Sequence, residues 1–266
     1  MKLRSIITAA ITIVALLAGA GQARAQFNLS RLIQGIKEGV QAVTLSNDDI
    51  VPYISQYVAH SDSVNEVLPA TDPYSQRLAR ITRGITSVDG IPLNFKVYKT
   101  DEVNAFACAD GSVRVYTGLM DRMTDDEVLS VIGHEIGHVA HHDSRDAFKQ
   151  AMINSAVRNG LASTSSTVAA LTDSQLAAIG DALLTSKHSR KQEQNADDYG
   201  YQFLKATGHN PTAMISAFQK LQAMEQQAGA QSTALSQLFS SHPDVGSRIS
   251  RLTKMAKKDG YNLTAP

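Results

Sequence analysis

Apolar residues recur every three or four positions through much of the chain, which is the period of an amphipathic helix. In the N-terminal third, this pattern predicts helices at residues 28–43 and 73–87. After the middle of the chain it predicts further helices at 126–142, 173–186, 189–206, 211–228 and 244–258. Gly208 follows the segment 189–206 and Pro211 opens the next one, in keeping with the preferences of glycine and proline for helix ends.

The period changes to two between Leu93 and Thr117, where apolar and polar positions alternate as they do in a strand. The run Ala109-Asp110-Gly111 within this segment is a turn signal. We therefore predict a sheet of about three strands immediately before the helix at 126–142. The predicted fold class is α+β and mostly helical, with this small sheet packed beside that helix.

The first 25 residues have the pattern of a secretory signal peptide. Lys2 and Arg4 begin the segment, an apolar run from Ile6 to Leu17 follows, and Ala23-Arg24-Ala25 ends it. The alternative is a membrane anchor, but the apolar run is shorter than the roughly 20 residues that a bilayer span needs. We expect cleavage before Gln26 and one domain over residues 26–266.

Several classes of protein are disfavoured by composition. Without Lys2, Arg4 and Arg24 the chain has 22 basic residues against 25 acidic ones, so nucleic-acid binding is not expected. Cys108 is the only cysteine, which excludes an intramolecular disulfide. Ala20 stands where a bacterial lipoprotein would carry its acylated cysteine. We therefore predict an exported protein that is not a lipoprotein and has no transmembrane span after signal removal.

The segment His134-Glu135-Ile136-Gly137-His138 indicates a metal site. Histidines four residues apart project from the same face of a helix, one turn apart, and can bind one zinc ion. Glu135 lies about 100° around that helix, where it can act as general base on the attacking water without binding the metal. A solvent-exposed polar patch is the alternative, which the apolar residues on both sides of the segment disfavour.

A catalytic zinc site usually has three protein ligands and one open position. His142 shares the face of the two histidines but lies ~12 Å from His134 along the axis, too far for one ion. Glu193 and Asp197 are four residues apart on a predicted helix, so Glu193 can bind the metal while Asp197 accepts a hydrogen bond from a ligand imidazole. An exposed, charged helix face explains the same two residues equally well.

The chain resembles the HtpX-like and CAAX-prenyl-protease-like zinc metallopeptidases, which are gluzincins, over roughly residues 70 to 255. Four motifs carry the resemblance in the family's order: Asn104-Ala105-Phe106-Ala107 through Gly118-Leu119-Met120, then His134 to His138, then Glu193 to Asp197, and His242-Pro243 with Arg248. The resemblance implies a zincin-like fold and a metalloendopeptidase that acts on polypeptides. It also implies one Zn²⁺ per chain and, together with the predicted signal peptide, a location in the periplasm of a Gram-negative bacterium.

The resemblance also implies roles for individual residues. His134, His138 and Glu193 would be the zinc ligands and Glu135 the general base. Asp197 and Arg248 would support the ligands, and His242 would lie close enough to stabilise the oxyanion. Independently of the family, a histidine before proline is more often a helix-start residue.

An extended substrate would add as a strand to the edge of the sheet, which calls on main-chain hydrogen bonds more than on side-chain specificity. The residues expected to bind it are Asn104, Ala105 and Phe106. The resulting prediction is proteolysis of extended or unfolded envelope proteins, as in protein quality control, with association to envelope membranes or to other envelope proteases as a further expectation.

Two other functions fit the same residues. In one, the metal is structural and the chain is a binding or chaperone-like envelope protein. In the other, the same zinc chemistry hydrolyses an amide that is not a peptide bond. Digestion of an unfolded protein with and without a chelator separates the first prediction from both. No chemistry is assigned to His60, His188 or His209.

Overall fold

The computed structural model describes residues 47–158, 171–184, 186–228, 238 and 241–262, all of which belong to one compact unit. The predicted signal peptide and the predicted helix at 28–43 lie outside the described residues. The helices are α1 (Asn47–Val64), α2 (Pro73–Ile81), α3 (Thr117–Met120), α4 (Asp125–Ala140), α5 (Asp143–Arg158), α6 (Asp173–Leu184), α7 (Arg190–Ala206), α8 (Thr212–Ala228) and α9 (Val245–Lys258). Within the described part of the chain, no helix combines the length and apolarity needed to cross a bilayer.

The strands form a short hairpin and a three-stranded sheet. The hairpin pairs β1 (Ser87–Val88) with β2 (Ile91–Pro92). The sheet contains β3 (Asn94–Tyr98), β4 (Ala105–Ala107) and β5 (Ser112–Tyr116) in the order β3-β5-β4. Strand β5 lies between the other two strands, parallel to β3 and antiparallel to β4. Strand β4 therefore lies at one edge of the sheet. The prediction of an α+β, mostly helical fold with three strands before α4 is confirmed.

A predicted turn joins β4 to β5. Gly111 has φ +87°, a conformation that L side chains rarely adopt, and an added Cβ would lie 2.0 Å from the carbonyl oxygen of Pro92. The backbone N–H of Ser112 bonds to the side chain of Asp110 at 3.0 Å. This tight turn sets the antiparallel register of β4 on β5.

Helix α4 is the central helix of the described unit, and its start is strongly specified. Thr124 and Glu127 form a capping box, in which each side chain bonds to the backbone N–H of the other residue. The Glu127 carboxylate also accepts hydrogen bonds from Ser216 and Lys220 of α8, at 2.8 and 2.7 Å. Every residue from Glu127 to Val139 is buried.

Helices α4 and α7 pack with their backbones almost in contact. A Cβ on Gly137 would lie 3.0 Å from the Cα and carbonyl oxygen of Ala196, and a Cβ on Gly200 would lie 3.0 Å from the backbone nitrogen of His134. Larger residues at these positions would force the helices apart. The small residues therefore allow side chains from both helices to meet.

One predicted helix was wrong in extent, and helix α1 was missed. The predicted helix at 73–87 ends at Ile81, because Thr82 caps it and Gly84 takes φ +85°, after which the chain enters β1. Helix α1 was not predicted, since Pro52 within it breaks the helical signal. The other predicted helices after residue 120 are present with ends shifted by one or two residues.

Buried charges tie α1 to the sheet. Arg114 of β5 is 1% exposed and donates hydrogen bonds to both carboxylate oxygens of Asp62, at 2.7 and 3.0 Å. Lys96 and Tyr98 of β3 donate to the same carboxylate, each at 2.7 Å. Burial raises the pKa of Asp62, but the hydrogen bonds from Arg114 and Lys96 outweigh it and lower the pKa to about 2. We call Asp62, Lys96, Tyr98 and Arg114 the Asp62 clasp.

We predict that Asp62→Asn lowers the free energy of unfolding by about 3 kcal/mol, because Arg114 is left buried without its counter-charge. Denaturant unfolding measures the change. Glu66→Gln is the matched control: it breaks the bond of Glu66 to Lys99 between the end of α1 and β3, but both side chains are about 60% exposed, so it should cost less than about 1 kcal/mol.

The sign of the pH effect follows from the depressed pKa. The stabilisation from Asp62 is present above the unfolded-state pKa of about 4 and is lost as the pH falls toward about 2. Asp62→Asn should abolish that part of the acid sensitivity. Equal costs for the two substitutions would contradict the importance of burial at the clasp.

Candidate metal centre

Three side chains from α4 and α7 converge on one point. His138 Nε2 lies 3.1 Å from His134 Nε2 and 3.4 Å from Glu193 Oε1. His134 Nε2 lies 3.6 Å from Glu193 Oε2. All three side chains are buried. The i, i+4 spacing on α4 thus aims both imidazoles at the carboxylate that α7 supplies.

These separations fit zinc. Ligand atoms at 2.0–2.1 Å from a tetrahedral ion are roughly 3.3 Å apart, close to the three observed separations. Two imidazoles and one carboxylate are also the donor set of several catalytic zinc sites. These three side chains would therefore hold one Zn²⁺ at their observed separations.

His242 brings a fourth nitrogen to the same point. Its Nδ1 lies 3.3 Å from His134 Nε2 and 3.1 and 3.3 Å from the two carboxylate oxygens of Glu193. Its Nε2 lies 3.6 Å from Glu135 Oε1. His134, His138, Glu193 and His242 together form a cluster whose ligand atoms all lie within 4.8 Å of one another. The His242 ring would therefore lie beside a metal ion held by the other three residues.

Asp197 and Arg248 support one side of the cluster. Asp197 Oδ1 lies 3.1 Å from His134 Nδ1, the ring nitrogen that faces away from the convergence point. Arg248 donates to both oxygens of Asp197, at 2.6 and 3.0 Å, and its guanidinium also contacts Glu193. The guanidinium lies over the ring of Phe218, 4.4 Å from its centroid. Arg248 therefore compensates two buried carboxylates at once.

A second carboxylate, from Asp143, supports the other imidazole. Asp143 Oδ2 lies 2.9 Å from His138 Nδ1, and Asp143 Oδ1 accepts a hydrogen bond from Gln192 Nε2 at 2.9 Å. Asp143 was not predicted as a site residue, since it lies beyond the predicted end of the helix. The signal that could have found it is an acidic residue at the first position of the next helix.

The surroundings of His134 and His138 shift the pKa values of the two imidazoles in opposite directions. Burial lowers the pKa of His134, and the positive charge of Arg248 lowers it further. Burial also lowers the pKa of His138, but its hydrogen bonds to Asp143 and Glu193 outweigh that effect and raise the pKa to about 9. Burial raises the pKa of Glu193, whereas His242 and His138 hold it far below its usual range. Glu193 is therefore ionised, as a metal ligand must be.

His188 also belongs to the site, although no role was predicted for it from the sequence. Its ring stacks on that of His138, with centroids 3.9 Å apart and planes 15° apart. Burial lowers the pKa of His188 to about 3, helped by His138 and His242. The two other unassigned histidines contact acidic residues at helix starts: His209 lies 2.8 Å from Asp126, and His60 lies 3.7 Å from Asp173.

A cavity of about 440 Å³ reaches this cluster at His242. Its lining includes Glu135 and His242, the residues Asn104 to Ala107, and side chains from α1, α5 and α6. The substrate-binding residues expected from the sequence, Asn104, Ala105 and Phe106, thus lie on the same cavity as Glu135.

The register of β4 shows which of its backbone groups face the open edge. The bonds from Tyr116 N–H to the Asn104 carbonyl and from Cys108 N–H to the Ser112 carbonyl indicate that Asn104, Phe106 and Cys108 pair with β5. Ala105 and Ala107 consequently direct their N–H and C=O groups to the edge, where the side chain of Asn104 accepts from the Ala105 N–H at 2.9 Å. Ala107 was not among the expected binding residues.

The chain matches known proteins over most of its length. Residues 75–256 match the model of peptidase family M48. The chain is 36% identical to "Metalloprotease LoiP" of Escherichia coli (strain K12) over 261 residues, which cover 98% of this chain and 99% of that protein. It is 34% identical to "Metalloprotease YcaL" of the same organism, over 95% and 97% of the two chains. A "Protease HtpX homolog" of Methanopyrus kandleri is 28% identical over 73% of this chain and 72% of its own length.

We predict that Glu193→Ala loses zinc far more completely than Asp197→Asn does. Glu193→Ala removes one of three converging ligands, whereas Asp197→Asn keeps all three and weakens only the orientation of His134, a change that typically costs about 10- to 100-fold in affinity. Titration against a competing zinc chelator measures the order. If Asp197→Asn binds zinc more weakly than Glu193→Ala, the roles assigned to these two carboxylates are reversed.

Proposed function

The chain belongs to peptidase family M48, and from this premise we propose that it degrades extended or unfolded polypeptides in the envelope of a Gram-negative bacterium, with Glu135 as general base. As a family member it is a zinc metalloendopeptidase. The observation that carries the proposal is the convergence of His134, His138 and Glu193 next to Glu135, at a cavity lined by an edge strand. We assign the three convergent residues as the zinc ligands.

Zinc at this site supplies a Lewis acid that polarises the scissile carbonyl and makes water a stronger nucleophile near neutral pH. The remaining chemistry belongs to the chain. Glu135 is 5% exposed and lines the cavity, so its carboxylate can take the proton of the attacking water and pass it to the leaving amine. Asp197 and Arg248 hold His134 in place. The positive charge of Arg248 also compensates the buried negative charges of Glu193 and Asp197.

The edge strand supports substrate binding by strand addition. An extended peptide alongside β4 can bond to the C=O of Ala105 and to the N–H and C=O of Ala107. Such main-chain recognition requires a segment without its own secondary structure and makes little demand on its side chains. This geometry favours an endopeptidase of broad sequence preference that acts on unfolded segments.

We propose that His242 regulates access to the site. With Nδ1 within 3.3 Å of His134 Nε2 and of both Glu193 oxygens, the ring would compete with the attacking water for the open position of a metal held by His134, His138 and Glu193. Hydrolysis would then require the ring to turn away from these atoms. The expectation from the sequence was that His242 stabilises the oxyanion, whereas in this proposal the ring controls the entry of water.

The location in the envelope rests on the N-terminal segment. Lys2, Arg4 and the apolar run from Ile6 to Leu17 support export, and Ala20 supports release without a lipid anchor. Detection of the mature chain in the periplasmic fraction, beginning at Gln26, tests both parts of this proposal.

We predict that Glu135→Gln keeps zinc and loses hydrolysis. The amide fits the same space but cannot take up the water proton, so the rate on an unfolded protein such as casein should fall by at least about 100-fold. Glu225→Gln, an exposed carboxylate on α8, is the control and should retain the wild-type rate. Zinc content is measured for both variants. Comparable digestion by Glu135→Gln and wild type at equal zinc content would refute the assigned base and favour incidental turnover.

We predict that His242→Ala raises the rate at which a short unstructured peptide is cleaved, by a factor of several, while zinc is retained by the three other ligands. The reason is that the fraction of molecules with an accessible fourth position increases. Initial rates at equal zinc content measure the effect. A fall of about 100-fold or more would instead identify His242 as the oxyanion stabiliser, since the loss of one such donor typically has that size.

A further inference from the structure

We propose that Asp143 is a positioning residue that connects the two zinc-binding helices, because its carboxylate holds His138 of α4 and Gln192 of α7 at the same time. The inference rests on the proposed assignment of His138 and Glu193 as zinc ligands. It adds a residue that the four family motifs of the sequence analysis do not contain.

The contacts of Asp143 are short and buried. One oxygen lies 2.9 Å from His138 Nδ1 and the other accepts from Gln192 Nε2, also at 2.9 Å. Asp143 itself is 6% exposed. Gln192 is the residue immediately before Glu193. The Asp143 carboxylate therefore contacts one proposed ligand, His138, through its Nδ1, and the chain neighbour of another, Glu193.

A break between two helices makes this contact possible. In an uninterrupted helix, a residue five positions after His138 would lie about 140° away from it around the axis. Here α4 ends at Ala140 and His142 adopts φ +64°, in the left-handed region. The chain therefore changes direction, and the first residue of α5 reaches back to the imidazole two residues before the end of α4.

The hydrogen-bonding capacities of the partners require a carboxylate at this position. Gln192 Oε1 accepts from the backbone N–H of Ser189 at 2.8 Å, as part of the capping box of α7, so its NH₂ group must face Asp143. His138 must donate from Nδ1 in order to keep the lone pair on Nε2 for the metal. Two donors thus face residue 143, and only an ionised carboxyl group, with an acceptor on each oxygen, satisfies both.

This arrangement gives Asp143 two effects on the metal. It fixes the tautomer and ring orientation of His138, as carboxylates behind metal-binding histidines do. Through Gln192 it also fixes the first turn of α7, from which Glu193 projects. Loss of either bond loosens one ligand, and loss of both loosens the two helices relative to each other.

Zinc affinity, measured by competition with a chelator, tests the proposal in the full chain. Asp143→Asn satisfies only one of the two donors, so we expect zinc to bind about 10- to 100-fold more weakly. Asp146→Asn, three residues further along α5 and 61% exposed, is the matched control and should stay within about twofold of wild type.

A reversal of the donor and acceptor gives a sharper test. Gln192→Glu alone places two carboxylates face to face and should also weaken zinc binding. In the double variant Asp143→Asn with Gln192→Glu, the asparagine NH₂ donates to the new carboxylate while its oxygen accepts from His138. The double variant should therefore bind zinc at least about tenfold more tightly than the product of the two single effects predicts.

The outcomes are separable from those of the proposed function. His138→Ala must lose zinc if the ligand set is correct, whatever the variants at position 143 do. Circular dichroism of each apo variant identifies those that do not fold. If Asp143→Asn alone fails to fold, the double variant is compared with Gln192→Glu, and it should bind zinc more tightly than that single variant. Wild-type zinc affinity in folded Asp143→Asn, or strictly additive losses in the double variant, would overturn the proposal.

Discussion

The close approach of α4 and α7 is the constraint on which the site depends. Glu193 reaches the two histidines because Gly137 faces Ala196 and Gly200 faces the backbone of His134, with no room for a Cβ at either glycine. Glycine within a helix is destabilising by roughly 0.5–1 kcal/mol relative to alanine. The capping boxes at Thr124 and Ser189 act in the opposite direction, because they stabilise the starts of these same helices. The capping boxes thus stabilise the starts of α4 and α7, whereas the glycines destabilise the middle of each helix.

The second constraint is electrostatic. Three carboxylates, of Asp143, Glu193 and Asp197, lie buried around two imidazoles and the guanidinium of Arg248. Burial alone would favour the neutral form of each acid, yet all three have a lowered pKa because each is bonded to a cation or to a ring N–H. The cluster is therefore negative around a point that four ligand atoms share. A divalent cation is the charge that this environment accommodates best.

Much of the site was predictable because its spacing is local. The i, i+4 pairs His134/His138 and Glu193/Asp197 need only a helix to acquire their relative directions, and the caps at Thr124 and Ser189 establish those helices. Asp143 was missed since its position depends on the left-handed residue His142, which no hydrophobic period reveals. The direction of the His242 ring depends equally on tertiary packing. The strand order β3-β5-β4 was also beyond the pattern, which gives strands but not their neighbours.

The Asp62 clasp has a consequence for the substrates that can enter the cavity. It ties α1 to β3 and β5. Because α1 and the neighbouring β4 both line the cavity, two of the cavity walls are held at a fixed spacing. Under the proposed function, walls at a fixed spacing would admit a single extended strand and not a folded domain. Cleavage of a folded protein would then follow that protein's own local opening equilibrium, whose free energy ranges from near zero in frayed segments to the full stability of the core. Targets would be ranked by their thermodynamic stability, at about tenfold in rate for each 1.4 kcal/mol.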